Sequence, residues 1–390
     1  MHFTNRNFTV LGNAATLATE EEIHKFHCAQ CAIVQMNYCE RSSFLYLATS
    51  PERISDKAVK VLRDRGLGPF LPVLVALCCF TGCRTNTAAS IAVIPRTSGT
   101  ILWEPENVGA QTAASELGER IYWNASARED DVDGQIALVD RIASGRYKGL
   151  VLAPDHSLAL ITPVRRALVN GLPIVIVGSP LPIPANENLS YILNDEEEGG
   201  RVAAQRVAAL IHGQGEVALT GIDPDIAGIM VRANSFERFL NKFYPKIHIV
   251  VRRMGTFNLA HEQEGAEEVL RESPGLNVIV ALTSTSMRGA VSAVEGSSRR
   301  QTLKVIGFDP DSLPFENASL DSMIVQNTRA MGERAVRLIH AKVQGQPFPA
   351  LIQFEPLLVT RENVNSAVVQ QMLYARWMPG SAHLRRSVTP

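Results

Sequence analysis

The first residues with the means to do chemistry are His24, His27, Cys28 and Cys31 (HKFHCAQC), followed by Cys39. A CxxC beside two histidines offers two thiolates and two imidazoles to a tetrahedral zinc ion. A zinc module needs a second ligand pair at regular spacing, and only Cys39 follows, so residues 1–58 read as a leader without a metal site. One helix fits residues 15–26, but no second helix follows after a short turn, which speaks against a helix-turn-helix. Catalytic signatures are missing: there is no GxSxG elbow, no P-loop, no HExxH, and no GxGxxG after the first strand. The later histidines, His156, His212, His248, His261, His340 and His383, are scattered without spaced partners and read as surface or helix-end residues. The expectation is a binding protein rather than an enzyme, needing no metal and no cofactor.

A second chemistry-bearing segment is residues 70–83 (FLPVLVALCCFTGC), an apolar run behind Lys57, Lys60, Arg63 and Arg65. It is shorter than the roughly 20 residues of a membrane span and carries the basic flank of an export signal. Phe80-Thr81-Gly82-Cys83 resembles the bacterial lipobox, whose Cys is acylated and becomes the mature N-terminus; the usual first residue, Leu, is Phe80 here. All six cysteines lie at or before Cys83, so the rest of the chain has no thiol to oxidise after export and is long enough to fold without disulfides. The reading is a signal over residues 59–83, Val59 being a possible alternative start, and a lipid anchor at Cys83 that holds the protein in the periplasm or cell envelope.

From Ser90 onward, β-branched runs alternate with helical patterns, which implies parallel sheets covered by helices. Strands are expected at 91–95, 120–124, 149–154, 173–178, 191–194, 216–221, 248–252, 277–282, 304–309 and 322–326. Helices are expected at 106–118, 132–144, 196–212, 228–243, 260–271 and 328–344. Continuous apolar strands such as IVIV (174–177) suit sheets buried on both faces. So many strands over this length favour two doubly wound α/β domains over one sheet. A formal net charge of −1, without a basic stripe, makes nucleic acid an unsuitable partner.

Read as ordered segments, residues 90–364 resemble the type I periplasmic binding proteins, in the sugar-binding group that also supplies the effector domain of LacI-type repressors. The segments are GAQTAASELG (109–118), RIASGRYKGLVLAP (141–154), LPIVIVGSPL (172–181), LNDEEEGGRVAAQRVA (193–208), VRANSF (231–236), VIGFDP (305–310), SMIVQN (322–327) and LLVTRENV (357–364). The resemblance implies two parallel-sheet lobes joined by three crossing segments and closing on a ligand by hinge motion. One lobe would take residues 90–193 and 327–354, the other 194–326 and 355–364, with 365–390 as a C-terminal extension whose residues 366–377 form one more helix.

A pyranose offers an apolar C–H face and a ring of hydroxyls, and so asks for an aromatic plate with charged or amide groups around it. The resemblance assigns the plate to Trp103, a hydroxyl-forking guanidinium to Arg232, a two-hydroxyl carboxylate to Asp309 and a crossing amide to Gln326. Asp195 either touches ligand or caps the helix from Glu196. The departures are informative. An Asp-Arg pair common in the group is Gly178-Ser179 here, an Asn-Asp is Ser284-Thr285, with Ser284 kept among the expected ligand contacts, and an Asn is Ala153. These put a common hexose or pentose in question and leave open a larger, less hydroxylated or acidic ligand that Arg232 could pair. The implied function is that of the solute-binding protein of an ABC importer, delivering a sugar-like solute to a permease. The alternative is a sensor feeding a membrane kinase or, less suitably, a repressor, for which no DNA-binding head precedes Ser90 and Pro69 and Pro72 disfavour a hinge helix.

Overall fold

The computed structural model describes residues 89–98, 101–128, 130–309 and 315–373. The His/Cys cluster, the apolar run with Cys83, and residues 374–390 lie outside the described residues.

Twelve strands are found among the described residues, in two six-stranded sheets. The first contains β1 (Ser90–Ile94), β2 (Ile121–Trp123), β3 (Tyr147–Leu152), β4 (Ile174–Gly178), β5 (Leu189–Asn194) and β11 (Leu351–Phe354), in the order β11-β5-β4-β3-β1-β2 and parallel throughout. The second contains β6 (Gly215–Ile222), β7 (Ile247–Met254), β8 (Leu276–Ala281), β9 (Lys304–Phe308), β10 (Leu320–Val325) and β12 (Leu357–Thr360), in the order β12-β10-β9-β8-β6-β7. Here β12 runs antiparallel to β10, an edge departure from the all-parallel expectation. The fold class is that expected, two doubly wound α/β lobes. Strands β11 and β12 were not foreseen, because each is four residues long and pairs with a strand distant in sequence.

Helices cover both faces of each sheet. On the first, α1 (Glu104–Leu117) lies on one face with α8 (Thr328–Val343), and α2 (Val132–Ser144) and α3 (Ile161–Val169) lie on the other. The contact between α1 and α8 is close enough that a Cβ on Gly109 would stand 1.9 Å from the carbonyl oxygen of Arg329, so only glycine fits. On the second sheet, α4 (Glu196–Leu210) and α5 (Ala227–Phe243) cover one face, and α6 (Leu259–Glu272) and α7 (Ser284–Glu295) the other. The extension contributes α9 (Ala367–Leu373), whose Val369 and Met372 are buried in the second lobe's core.

Side-chain caps start most of these helices: Asp131 on α2, Asp195 on α4, Asn258 on α6, Thr283 on α7 and Asn327 on α8. Among the described residues the chain passes between the sheets three times: after Asn194, after Val325, and between Phe354 and Leu357. In each sheet the order reverses beside its first strand, β1 or β6, and at such switch points the carboxyl ends of the strands splay apart to leave a crevice.

Candidate functional site

Loops leaving the carboxyl ends of strands in both sheets line a single cleft of about 630 Å³, counting its open mouth. From the first lobe come Arg96 after β1, Trp103 before α1, and Gly178 and Ser179 at the end of β4. From the second come Glu196 at the start of α4, Ile226 and Gly228 after β6, Phe257 after β7, Thr283 and Ser284 after β8, Asp309 after β9 and Gln326 after β10.

The floor is a buried ion cluster centred on Arg232, which is 2% exposed. Its Nε donates to Glu196 Oε2 at 2.7 Å, and its Nη2 donates to Glu196 Oε1 at 2.9 Å and to Asp309 Oδ2 at 2.8 Å. Nη1 donates to the Leu282 carbonyl at 2.6 Å, and the guanidinium carbon lies 4.2 Å from the centre of the Phe308 ring. Four of the five guanidinium N–H groups are thereby used inside the protein. The fork expected to span two ligand hydroxyls is closed on Glu196 instead.

Burial works against this charge, but the fields of Asp309 and Glu196 more than reverse it and hold the Arg232 pKa above its ordinary value. Burial likewise holds the Glu196 carboxyl above the usual carboxylate range, opposed by Arg232. Both Glu196 oxygens accept hydrogen bonds, so a proton on either would displace a donor, and the geometry is that of the carboxylate.

Gln326 ties this cluster to the crossings. Its Nε2 donates to Glu196 Oε1 at 2.6 Å, while its carbonyl oxygen accepts from Asn194 Nδ2 at the first crossing. Asp309 takes a left-handed backbone, φ 49°, which turns its carboxylate back toward Arg232; Phe257 at φ 50° is the bulkier exception, since aromatic residues seldom adopt this region.

Trp103 lies in the first lobe's core with one edge on the cleft and its indole N–H buried without a partner. Arg96 sits with its guanidinium carbon 5.9 Å from the Trp103 ring centre and 5.2 Å from that of Phe257, and pairs with the buried Asp155 at 3.3 Å. Ser284 opens α7 with its hydroxyl buried, unpartnered and on the cleft wall.

Asp195 is placed differently from the other expected residues. Its carboxylate caps α4 by accepting from the Glu198 N–H at 2.8 Å, and it is absent from the lining of this cleft; the neighbouring Glu196 takes the inward position. Glu196, Arg96 and Phe257 were missed from sequence. The only hint for Glu196 was an acidic run directly after a strand, which reads equally well as the favourable first turn of a helix.

The lobes touch across the cleft. Ser157 N donates to the Asp225 carbonyl at 2.8 Å, Ala227 N to Ser157 Oγ at 3.1 Å and Gly228 N to Ser179 Oγ at 3.0 Å. Loops after β3 and β4 thus satisfy N–H groups in the first turn of α5, donors that no helix can satisfy internally. Ser179, one of the small replacements noted in the sequence, closes the lobes on each other. Among the described residues no cluster of metal-ligating side chains is found, and no helix is long and apolar enough to cross a membrane.

Comparison with known proteins agrees with this architecture. The chain is 24% identical over 273 residues to the D-allose-binding periplasmic protein of Escherichia coli (strain K12), covering 67% of this chain and 87% of the relative. A solute-binding protein from Agrobacterium vitis, solved with α-D-tagatopyranose, superposes with a TM-score of 0.69 at 22% identity, covering 73% of this chain and 99% of that one. One from Agrobacterium radiobacter, solved with D-arabinose, gives 0.69 at 21% identity, covering 74% and 100%. Residues 91–347, well over half of the chain, match the periplasmic binding protein domain, and the protein belongs to that family.

Proposed function

We propose that this protein is the solute-binding component of an ABC importer and binds a sugar or sugar-like molecule reversibly between its lobes, without turnover. The observation that carries the reading is the cleft itself. At the carboxyl ends of both sheets it gathers two carboxylates, two guanidiniums, an amide, an unpartnered hydroxyl and two aromatic rings, the mixture that a polyhydroxylated ring with an apolar face requires. The sugar-binding names of its relatives support the same ligand class. Trp103, Asp309, Gln326 and Ser284 are the proposed ligand contacts from the sequence, Arg96 and Glu196 join them from the structure, and Arg232 acts mainly by holding Glu196 and Asp309 in place.

The lobes are taken as 90–193 with 327–354 and 194–326 with 355–364, so that rotation occurs at the crossings where Asn194 and Gln326 meet. Acylation at Cys83 would hold the protein on the periplasmic side of the membrane beside its permease.

The test is a thermal-unfolding screen of the full chain against neutral sugars, polyols, sugar acids and nucleosides. A ligand at about 100 times its Kd adds roughly 2.7 kcal/mol to the folded state, a clear rise in Tm. A carbohydrate that raises Tm and is recovered chemically unchanged supports the proposal. A ligand that is converted, or a panel without any shift, refutes it.

A further inference from the structure

Arg232 raises a question that the proposed function leaves open, since a buried guanidinium in a sugar cleft would also welcome a sugar acid or a sugar phosphate. Guanidinium pairs with carboxylate and phosphate through two parallel N–H bonds, and that fork is what selects such anions. In this cleft Arg232 presents the fork, Nε and Nη2, to Glu196 rather than to the open space, and Asp309 takes the remaining Nη2 hydrogen. Arg96, the other guanidinium on the wall, is itself paired with Asp155. Both guanidinium groups on the wall are therefore already matched by carboxylates, and an incoming anion would find no free fork and would have to lie against Glu196 and Asp309, where like charges repel.

We propose that Glu196 is a specificity-determining residue: by occupying the Arg232 fork it closes the cleft to sugars bearing a carboxylate or phosphate and restricts it to uncharged polyhydroxy ligands. This rests on the carbohydrate reading above and names its charge class. Glu196 is suited to the role by position. It lines the cleft, its carboxylate is locked by three hydrogen bonds, and the next two glutamates of the run are engaged elsewhere, Glu197 with Arg238 and Glu198 with Arg201. The acidic ligand that the sequence left open for Arg232 is thereby excluded.

The experiment is calorimetric titration of the full chain with pairs that share a pyranose ring and differ in charge at C6: D-galactose and D-galacturonate, D-glucose and D-glucuronate, and any neutral hexose found by the thermal screen with its uronate. For whichever pair binds, the neutral member is expected to be tighter by roughly tenfold or more, because juxtaposed like charges are costly at a buried site. Glu196→Gln keeps the side-chain shape and removes the charge, and should narrow or invert that gap by a similar factor. Wild-type protein that binds an acid as well as its neutral partner overturns the proposal while leaving the carbohydrate reading intact, and this comparison needs no variant to fold. A folded Glu196→Gln protein with an unchanged gap overturns it too. A chain that binds no member of any pair and no carbohydrate in the thermal screen refutes the carbohydrate reading, and this inference with it.

Discussion

Glu106 lies in the first turn of α1, three residues beyond Trp103, and is 1% exposed with neither carboxyl oxygen hydrogen-bonded. Burial, with no neighbouring charge contributing, pushes its pKa up to about 8. An unfolded glutamate titrates near 4.3, so between roughly pH 4.3 and 8 the folded state holds a proton that the unfolded state has released. Stability then falls with rising pH across that window and levels off above it. At about 1.36 kcal/mol per pKa unit, the loss between pH 5 and pH 8 is on the order of 3–4 kcal/mol.

Glu106→Gln removes the titration while keeping the shape. The variant should match the wild type within about 1 kcal/mol near pH 5 and exceed it by roughly 3–4 kcal/mol near pH 8, several degrees in Tm. Denaturant unfolding of both proteins at half-unit steps from pH 5 to pH 9 measures the difference directly. Other groups cancel in it, including Glu119, whose pKa is lowered: burial raises it, but Lys148 and His340 together outweigh that. A difference that stays flat across the window would mean that Glu106 is solvated or partnered in solution, and the account would fall.

Asp195→Ala should cost about 1 kcal/mol of stability through the lost α4 cap and leave the affinity for any sugar found by the screen unchanged. A large loss of affinity with little loss of stability would return Asp195 to the ligand. Ser179→Ala removes the acceptor for Gly228 N and, at about 1 kcal/mol for one hydrogen bond, should shift the closed-to-open ratio by roughly fivefold. Small-angle scattering of the ligand-free chain would show the larger radius of gyration, and an unchanged radius would remove Ser179 from closure.

Much of the architecture was legible because its signals are local. Runs such as IVIV at 174–177 are buried on both faces as continuous apolar strands should be, and the helices expected from 132, 196 and 328 begin there, with Asp195 taking the cap that was one of its two expected roles. What escaped was non-local or too fine for periodicity. The segments LIQF and LLVT become β11 and β12 only through β5 and β10, which are far away in the chain. In the run Asp195–Glu198, successive helical residues point about 100° apart, so one glutamate can enter the cleft while the next two remain outside. Choosing Glu196 required the position of Arg232, which only the packing of α4 against α5 supplies.

That choice also explains why a charged cluster sits where charge is most expensive. Buried ion pairs seldom improve on well-packed apolar side chains of the same volume, so stability gives no reason to retain Arg232 among two carboxylates. The backbone strain at Asp309 and Phe257 points the same way, as do the unpartnered Ser284 hydroxyl and Trp103 N–H. All of these residues line one cleft, at the strand ends where the two sheets face each other. On the proposed function, a polyhydroxylated ligand would give the Ser284 hydroxyl a partner and meet carboxylates already oriented by Arg232, so that groups costly to bury would serve to recognise it.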